Sequence, residues 1–259
     1  MSATMKRMKL SPMVEDAAKQ ADPNDKALQA VIAWDPIAVT NSLIQDLRRA
    51  GKGIEGFNES ATMRALVQFF QIKIVGVDYQ DPDAYAQAFA RGEMRYGDMF
   101  DIEGTFNPAR GQISVLAKID SPIPMYDKDH IKEFCSIFVG VMMHELAHVA
   151  QMEASPGLFR ASAIDFNSGS LSDADMASAY YNNPLEIDAF AAGAALCNLM
   201  GCDYYYSTLL ENAPLTMDNR KAFQNRVDFW MGFLSDGRKR YVPMDEVYDF
   251  SSNKLIEAA

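Results

Sequence analysis

Two histidines four residues apart, with a glutamate after the first, are the side chains whose types and spacing fit metal chemistry. They stand in Val141-Met142-Met143-His144-Glu145-Leu146-Ala147-His148-Val149-Ala150-Gln151. On a helix, positions i and i+4 share one face a turn apart, so both imidazoles can reach a single ion at about 2.0 Å per Zn–N bond. Glu145 then sits where its carboxylate flanks an open coordination position and can take a proton from a bound water. The chain holds 3 histidines, so two of them are committed to one pattern. Chance alone gives that arrangement with a probability on the order of a few in a thousand. The competing explanation is a helix whose two histidines satisfy buried hydrogen bonds or pair with Glu145. It carries a cost, because neutral His and ionised Glu are expensive beside Phe134, Phe138, Val139 and Val141 unless something polar compensates them. A metal would do so.

A catalytic zinc site usually has three protein ligands and a water. No histidine follows position 148, and Gln151, Ser155 and Pro156 occupy the region where a longer His motif would continue. A carboxylate from downstream is therefore expected. The best candidate is Glu186 in Tyr180-Tyr181-Asn182-Asn183-Pro184-Leu185-Glu186-Ile187-Asp188-Ala189-Phe190-Ala191, in the first turn of a helix opened by Pro184. The simpler explanation for a first-turn Glu is the helix dipole, worth about 0.3–1 kcal/mol.

These two motifs resemble the gluzincin branch of zinc metallopeptidases, with HExxH on one helix and a Glu from a later helix in an ExxA context, as Glu186-Ile187-Asp188-Ala189 reads. They are also similar to small intracellular HExxH proteins whose second motif is an acid followed by Ala and a Phe-Ala pair, as in Asp188-Ala189-Phe190-Ala191. The resemblance covers roughly Gly104 to Leu199. Phe190 stands where an Asp often follows ExxA, and the acidic register leaves Asp188 as an alternative third ligand. The resemblance implies a hydrolase that cleaves peptide bonds: His144, His148 and Glu186 hold Zn²⁺, and Glu145 is general base and later proton donor to the leaving amine. It implies that the strand Gln112 to Lys118 is a sheet edge lining the cleft, against which an extended peptide lies. A developing oxyanion also needs a donor. Similar enzymes use Tyr, His or Arg for it, which directs attention to Tyr180 and Tyr181, with Tyr181 taken as the catalytic candidate; packing beside a helix start is the simpler role for both. His130 is expected at the surface or as a cap.

The elements that must position these residues follow from periodicity and punctuation. Helix-like segments broken at Pro12, Asp22-Pro23 and Asp35-Pro36 run to Gly51-Lys52-Gly53, giving a helical N-terminal extension over 1–53. An amphipathic helix from Glu59 to Phe70 and a strand through Ile72, Ile74 and Val77 come next, then a short helix from Asp83 to Arg91. Gly104 to Lys118 reads as a hairpin turning at Asn107-Pro108-Ala109-Arg110-Gly111, with Ile113, Val115 and Ala117 alternating. A long helix, apolar on nearly every face, starts near Asp127 or Asp129 and runs to about Ala154, where Ser155-Pro156-Gly157 stops it. A polar loop from Ser162 to Asp173 precedes helices over Ala174–Tyr181, from Asn183-Pro184 to Met200-Gly201, and from Thr216 to Leu234. The expected fold is α+β and predominantly helical: zincin-like, with a small β-sheet packed on the HExxH helix, over 54–259.

Composition bounds the rest. With 259 residues, 49% of them hydrophobic, the chain can bury a core without disulfides. Acidic residues outnumber basic ones 35 to 24, a formal charge of -11, so the average surface repels nucleic acid and anionic lipid. The basic clusters Lys6 to Lys9 and Arg238 to Arg240 are too short to reverse that. Cys135, Cys197 and Cys202 form no CxxC pair and read as buried thiols. No apolar run follows the basic residues near the N-terminus, and Cys135 to Met143 is too short a stretch to span a bilayer. The expectation is a cytoplasmic zinc metallopeptidase acting on a peptide or protein substrate, with neither nucleic acid nor membrane as partner. The alternative is a zincin-fold binding or assembly module without catalysis.

Overall fold

Helix starts and stops in this chain are written by short polar residues and by Pro and Gly, and the computed structural model follows them closely. It describes residues 22–51, 53–76, 87, 91, 100–110, 112–119, 128–161, 172–236, 241–249 and 254–255. The chain divides between Met142 and Met143 into two compact units.

In the N-terminal unit, α1 (Lys26–Ala33) is capped by Asp25, whose side chain accepts from the Leu28 N–H, and α2 (Pro36–Ala50) by Asp35 in the same way, with Pro36 at its first position. Gly51 ends α2 in the left-handed region at φ 61°, returning its N–H to the Leu47 carbonyl. The break expected at Gly53 instead opens a further helix, α3 (Gly53–Glu59), before Ser60 caps α4 (Ala61–Phe69). Phe57 of α3 is fully buried, edge-on to Phe134 and Phe138 at 4.9 and 5.2 Å, and anchors a core with Val39, Leu43 and Leu66.

Three strands follow: β1 (Gln71–Gly76), β2 (Phe100–Asn107) and β3 (Gln112–Ile119). The hairpin expected from the alternating residues is present, with Gly104 opposite Val115 and a tight turn after Asn107. Ile113, Val115 and Ala117 face the core, as their period of two requires. One expectation is corrected. The sheet order is β1-β3-β2, with β1 parallel to β3, so β3 is the central strand and not an edge. Its backbone pairs on both sides and offers no ladder to a peptide, because the chain, after leaving β1 and forming β2, returns to lay β3 between them.

The long helix α5 (Lys128–Ala154) carries HExxH. It is long and apolar enough to cross a membrane, yet 94% of its most apolar window is buried inside the protein, as expected of a core helix. His130 is fully buried near its start, where a surface or capping role was expected: burial of α5 begins almost at its first turn. The three cysteines are buried and free, and burial pushes the Cys135 thiol up, which keeps it protonated and inert.

In the C-terminal unit the rest of α5 is followed by α6 (Pro156–Ala161), opened by the proline that was expected only to stop α5. Then come α7 (Asp173–Tyr181), capped by Ser172, and α8 (Pro184–Leu199), capped by Asn183. Beyond them lie α9 (Tyr204–Asn212), α10 (Met217–Asp236), a 3-10 turn at Met244–Glu246 and a two-residue strand pair, β4 (Tyr248–Asp249) with β5 (Lys254–Leu255). Helix α8 is buried on nearly every side, and its alanines at 189, 191, 192, 194 and 195 let α10 pack closely along it. The fold is thus α+β and predominantly helical, with one small three-stranded sheet among the described residues. The readings at Pro12, Val77, the basic clusters, the loop over 162–171 and most of the helix over 83–91 fall outside the described residues.

Candidate metal centre

His144 and His148 project from one face of α5 and turn their Nε2 atoms toward each other at 3.2 Å. Glu186 arrives from the first turn of α8, where Pro184 fixes the backbone and the Asn183 side chain accepts from the Leu185 N–H. Its Oε2 lies 3.4 Å from Nε2 of His144 and 3.5 Å from Nε2 of His148. The three atoms form a nearly equilateral triangle. Ligands about 2.0–2.1 Å from a tetrahedral zinc stand about 3.3 Å apart, which is the spacing of these three atoms. The donor set, two imidazoles and a carboxylate, is the one zinc takes in sites that leave a fourth position open. Oε2 of Glu186 is buried, and its nearest polar neighbours are those two imidazole nitrogens, so its charge is balanced by a protonated imidazole or by a cation shared with both rings.

Glu145 is buried beside the triangle but outside it, its Oε1 3.9 Å from Nε2 of His144. Phe190, one turn beyond Glu186, presses its ring on His144 with centroids 4.5 Å apart, and Phe159 of α6 approaches His148 at 6.1 Å. Tyr181 stacks on Phe190 at 5.6 Å, and Tyr180 meets the same ring edge-on at 5.7 Å. Tyr180 lies near both carboxylates. Burial, then the charges of Glu186 and Glu145, raise its phenol well above the ordinary value, so it stays protonated and able to donate. The Tyr204-Tyr205-Tyr206 run lies on α9, where Tyr206 stacks on Phe223 at 5.5 Å.

Asp188, the alternative third ligand, is fully buried and engaged elsewhere. Its Oδ1 accepts from Nε of Arg226 at 2.8 Å and from Nε1 of Trp230 at 2.7 Å, with Nη2 of the same guanidinium 2.8 Å away in an ion pair. Its Oδ2 accepts from the Tyr241 hydroxyl at 2.8 Å and from Nε2 of Gln151 at 3.0 Å. Two residues along a helix turn a side chain by about 200°, so Asp188 points away from the face that carries Glu186. Gln151 links the two groups: its Nε2 also donates to the Leu185 carbonyl at 2.9 Å, and its Oε1 meets Nδ1 of His148 at 2.9 Å. Inspection of motifs alone passes over Gln151, Arg226, Trp230 and Tyr241. Only Gln151 carried a sequence signal, its position three residues beyond His148 on the same helical face.

The carboxylates around His148 favour its protonated imidazole. Burial opposes charge on His148, but the carboxylates of Glu186 and Glu145 and the Gln151 amide oxygen outweigh it, and its pKa is pushed up to about 9 from 6.5. Burial would also raise the Glu186 carboxyl, and the two imidazoles hold it well below the usual range. These shifts describe one ion pair seen from its two sides. Because the folded pKa of His148 lies above its unfolded value, the pair stabilises the chelated chain fully below about pH 6.5 and is lost as pH rises through about 9. Urea titrations of the chelated chain are expected to show stability falling by on the order of 3 kcal/mol across that window. A divalent cation held by this triangle would displace the same proton, so its apparent affinity should rise about tenfold per pH unit up to that point, with proton release measurable by calorimetry in buffers of different ionisation enthalpy.

The helix start itself is testable. Asn183→Ala removes the cap that sets the first turn of α8, and should cost about 1 kcal/mol in denaturant unfolding while weakening zinc binding through a displaced Glu186.

No family model, no curated protein and no solved structure matches this chain.

Proposed function

We propose that the chain is a zinc-dependent metallopeptidase of gluzincin type, with His144, His148 and Glu186 as its metal ligands. The observation that carries this reading is the triangle of two Nε2 atoms and one Oε2 with edges of 3.2, 3.4 and 3.5 Å, built from residues on two helices 38 positions apart (186 less 148). When bound there, zinc supplies Lewis acidity, polarising a carbonyl oxygen and lowering the pKa of a coordinated water to about 7. The protein supplies the rest. The Glu145 carboxylate takes a proton on one oxygen and returns it to the leaving amine nitrogen, a general base and then a general acid. Tyr181, or its neighbour Tyr180, supplies the oxyanion donor; both rings meet Phe190, the residue that presses on His144. Phe190, Tyr181 and Phe159 are partly exposed aromatic walls that limit water around the reacting groups.

The zincin-like assignment of the α+β fold belongs to the same reading, as do the boundary between an N-terminal helical extension over 1–53 and a peptidase domain over 54–259, a peptide or protein substrate, and a cytoplasmic location without nucleic acid or membrane partners. The test is elemental analysis of the purified chain together with hydrolysis of an unstructured protein such as casein. One zinc per chain, with cleavage abolished by chelation and restored by zinc, is the expected result. One zinc without cleavage favours the binding or assembly module, and a chain that takes up no zinc even on reconstitution overturns both the ligand set and the activity.

A further inference from the structure

We propose that Gln151 is a positioning residue for His148: it passes the fixed orientation of the Asp188 carboxylate on to the imidazole, so that Nδ1 bears the hydrogen and the Nε2 lone pair is turned toward the ion. The proposal rests on the metal reading above and adds to it the device that prepares one of the ligands.

The direction of every hydrogen bond in the chain of contacts is forced. Arg226 and Trp230 can only donate, and together they take up Oδ1 of Asp188. The Arg226 guanidinium is itself held, by the Val242 carbonyl at 2.9 Å and by the Phe229 ring at 4.1 Å from its centroid. Tyr241 closes Oδ2 from one side. Asp188 is therefore an immobile acceptor with one lone pair directed at α5, and the atom of Gln151 that meets it must be the amide nitrogen. The second partner of that nitrogen, the Leu185 carbonyl, is likewise an acceptor. The amide thus has one orientation, which leaves Oε1 against His148. A carbonyl oxygen only accepts, so the hydrogen of the imidazole must reside on Nδ1. His144 has no such arrangement: its Nδ1 is buried without a hydrogen-bond partner among the described residues. Preparation of the pair therefore enters through His148, from side chains 37 to 90 residues further along (188 less 151, 241 less 151). Outer hydrogen bonds of this kind fix ring orientation and raise ligand basicity, and their loss typically weakens metal binding by about 10–100-fold.

Gln151→Met, close in volume and without amide groups, tests the proposal on the full chain with two readouts. Competition with a chromogenic chelator gives the zinc affinity, and ¹H–¹⁵N spectra of the imidazoles report whether Nδ1 of His148 carries a slowly exchanging proton. The wild-type chain is expected to show that proton with and without zinc. In Gln151→Met that proton should exchange too fast to be observed and zinc should bind about 10–100-fold more weakly, and Gln151→Glu, which keeps an acceptor opposite Nδ1 and can share a proton with Asp188, should recover the signal and part of the affinity. Zinc affinity of Gln151→Met within about twofold of wild type, or an Nδ1 proton that exchanges as slowly in the zinc-loaded variant as in the wild-type chain, overturns the proposal. Should Gln151→Met fail to fold, the wild-type spectrum decides alone: a hydrogen on Nε2 of His148 in the neutral metal-free ring, with Nδ1 bare, overturns it. A wild-type chain that binds no zinc marks the failure of the metal reading, whereas zinc bound equally well by both chains marks the failure of the Gln151 role only.

Discussion

Glu145→Gln is expected to bind zinc as the natural chain does and to lose hydrolysis, with kcat/KM falling by about 10²–10⁴-fold. The amide is nearly isosteric with the carboxylate, so the packing of α5 is preserved. Glu145 also stands outside the ligand triangle, with Oε1 3.9 Å from Nε2 of His144, and its substitution removes no ligand atom. What the amide cannot do is take a proton and pass it to the leaving nitrogen. Zinc content by elemental analysis, measured beside kcat/KM on a peptide that the natural chain cleaves in a zinc-dependent way, separates these effects. An active Glu145→Gln chain with full zinc would leave the site in place and remove the mechanism.

Two carboxylates in adjacent register, Glu186 and Asp188, should give opposite phenotypes. In Glu186→Gln the anionic ligand is gone, and zinc binding should fall by several orders of magnitude, while the metal-free chain stays folded. In Asp188→Asn the Arg226 guanidinium, which is 3% exposed, loses its counter-ion in the interior. Breaking one side of a buried pair costs about 3–5 kcal/mol, which for a chain of this size lowers Tm by roughly 6–20 °C. Thermal unfolding in chelator, followed by zinc titration at a temperature where both variants are folded, distinguishes them. A stable Asp188→Asn chain that has lost zinc as completely as Glu186→Gln would mean that the acidic register was assigned to the wrong residue.

Much of what positions the centre was legible in the sequence because it rests on local chemistry. Asn183 and Pro184 can start a helix in few other ways, and their placement puts Glu186 in the first turn. The i, i+4 spacing of His144 and His148 guarantees a common face once α5 is helical, and the apolar run around them makes α5 a core helix. The alternation of Ile113, Val115 and Ala117 identifies a strand with one buried face. That same alternation is silent on what pairs with the strand. A central and an edge strand of a half-buried sheet share the period of two, so the parallel partner β1 could not be foreseen. The role of Asp188 was hidden for a related reason. Its partners Arg226, Trp230 and Tyr241 lie 38, 42 and 53 residues away, and no local rule connects an acid to donors that only tertiary packing brings to it. The polarity of His130 suits a surface, but the first turn of α5 already carries it inside, behind the exposed Lys128 and Asp129. The helices α3, α6 and α9 are short pieces, 7, 6 and 9 residues long, whose propensities compete evenly with turns until packing decides.

The most direct test of the ligand set is an anomalous difference map collected at the zinc absorption edge from crystals of the zinc-loaded chain. A single strong peak about 2.0–2.2 Å from Nε2 of His144, Nε2 of His148 and a carboxylate oxygen of Glu186 is the predicted result. A peak coordinated by Asp188, or by only one of the two imidazoles, or no peak in a chain that was offered zinc in excess, would contradict it.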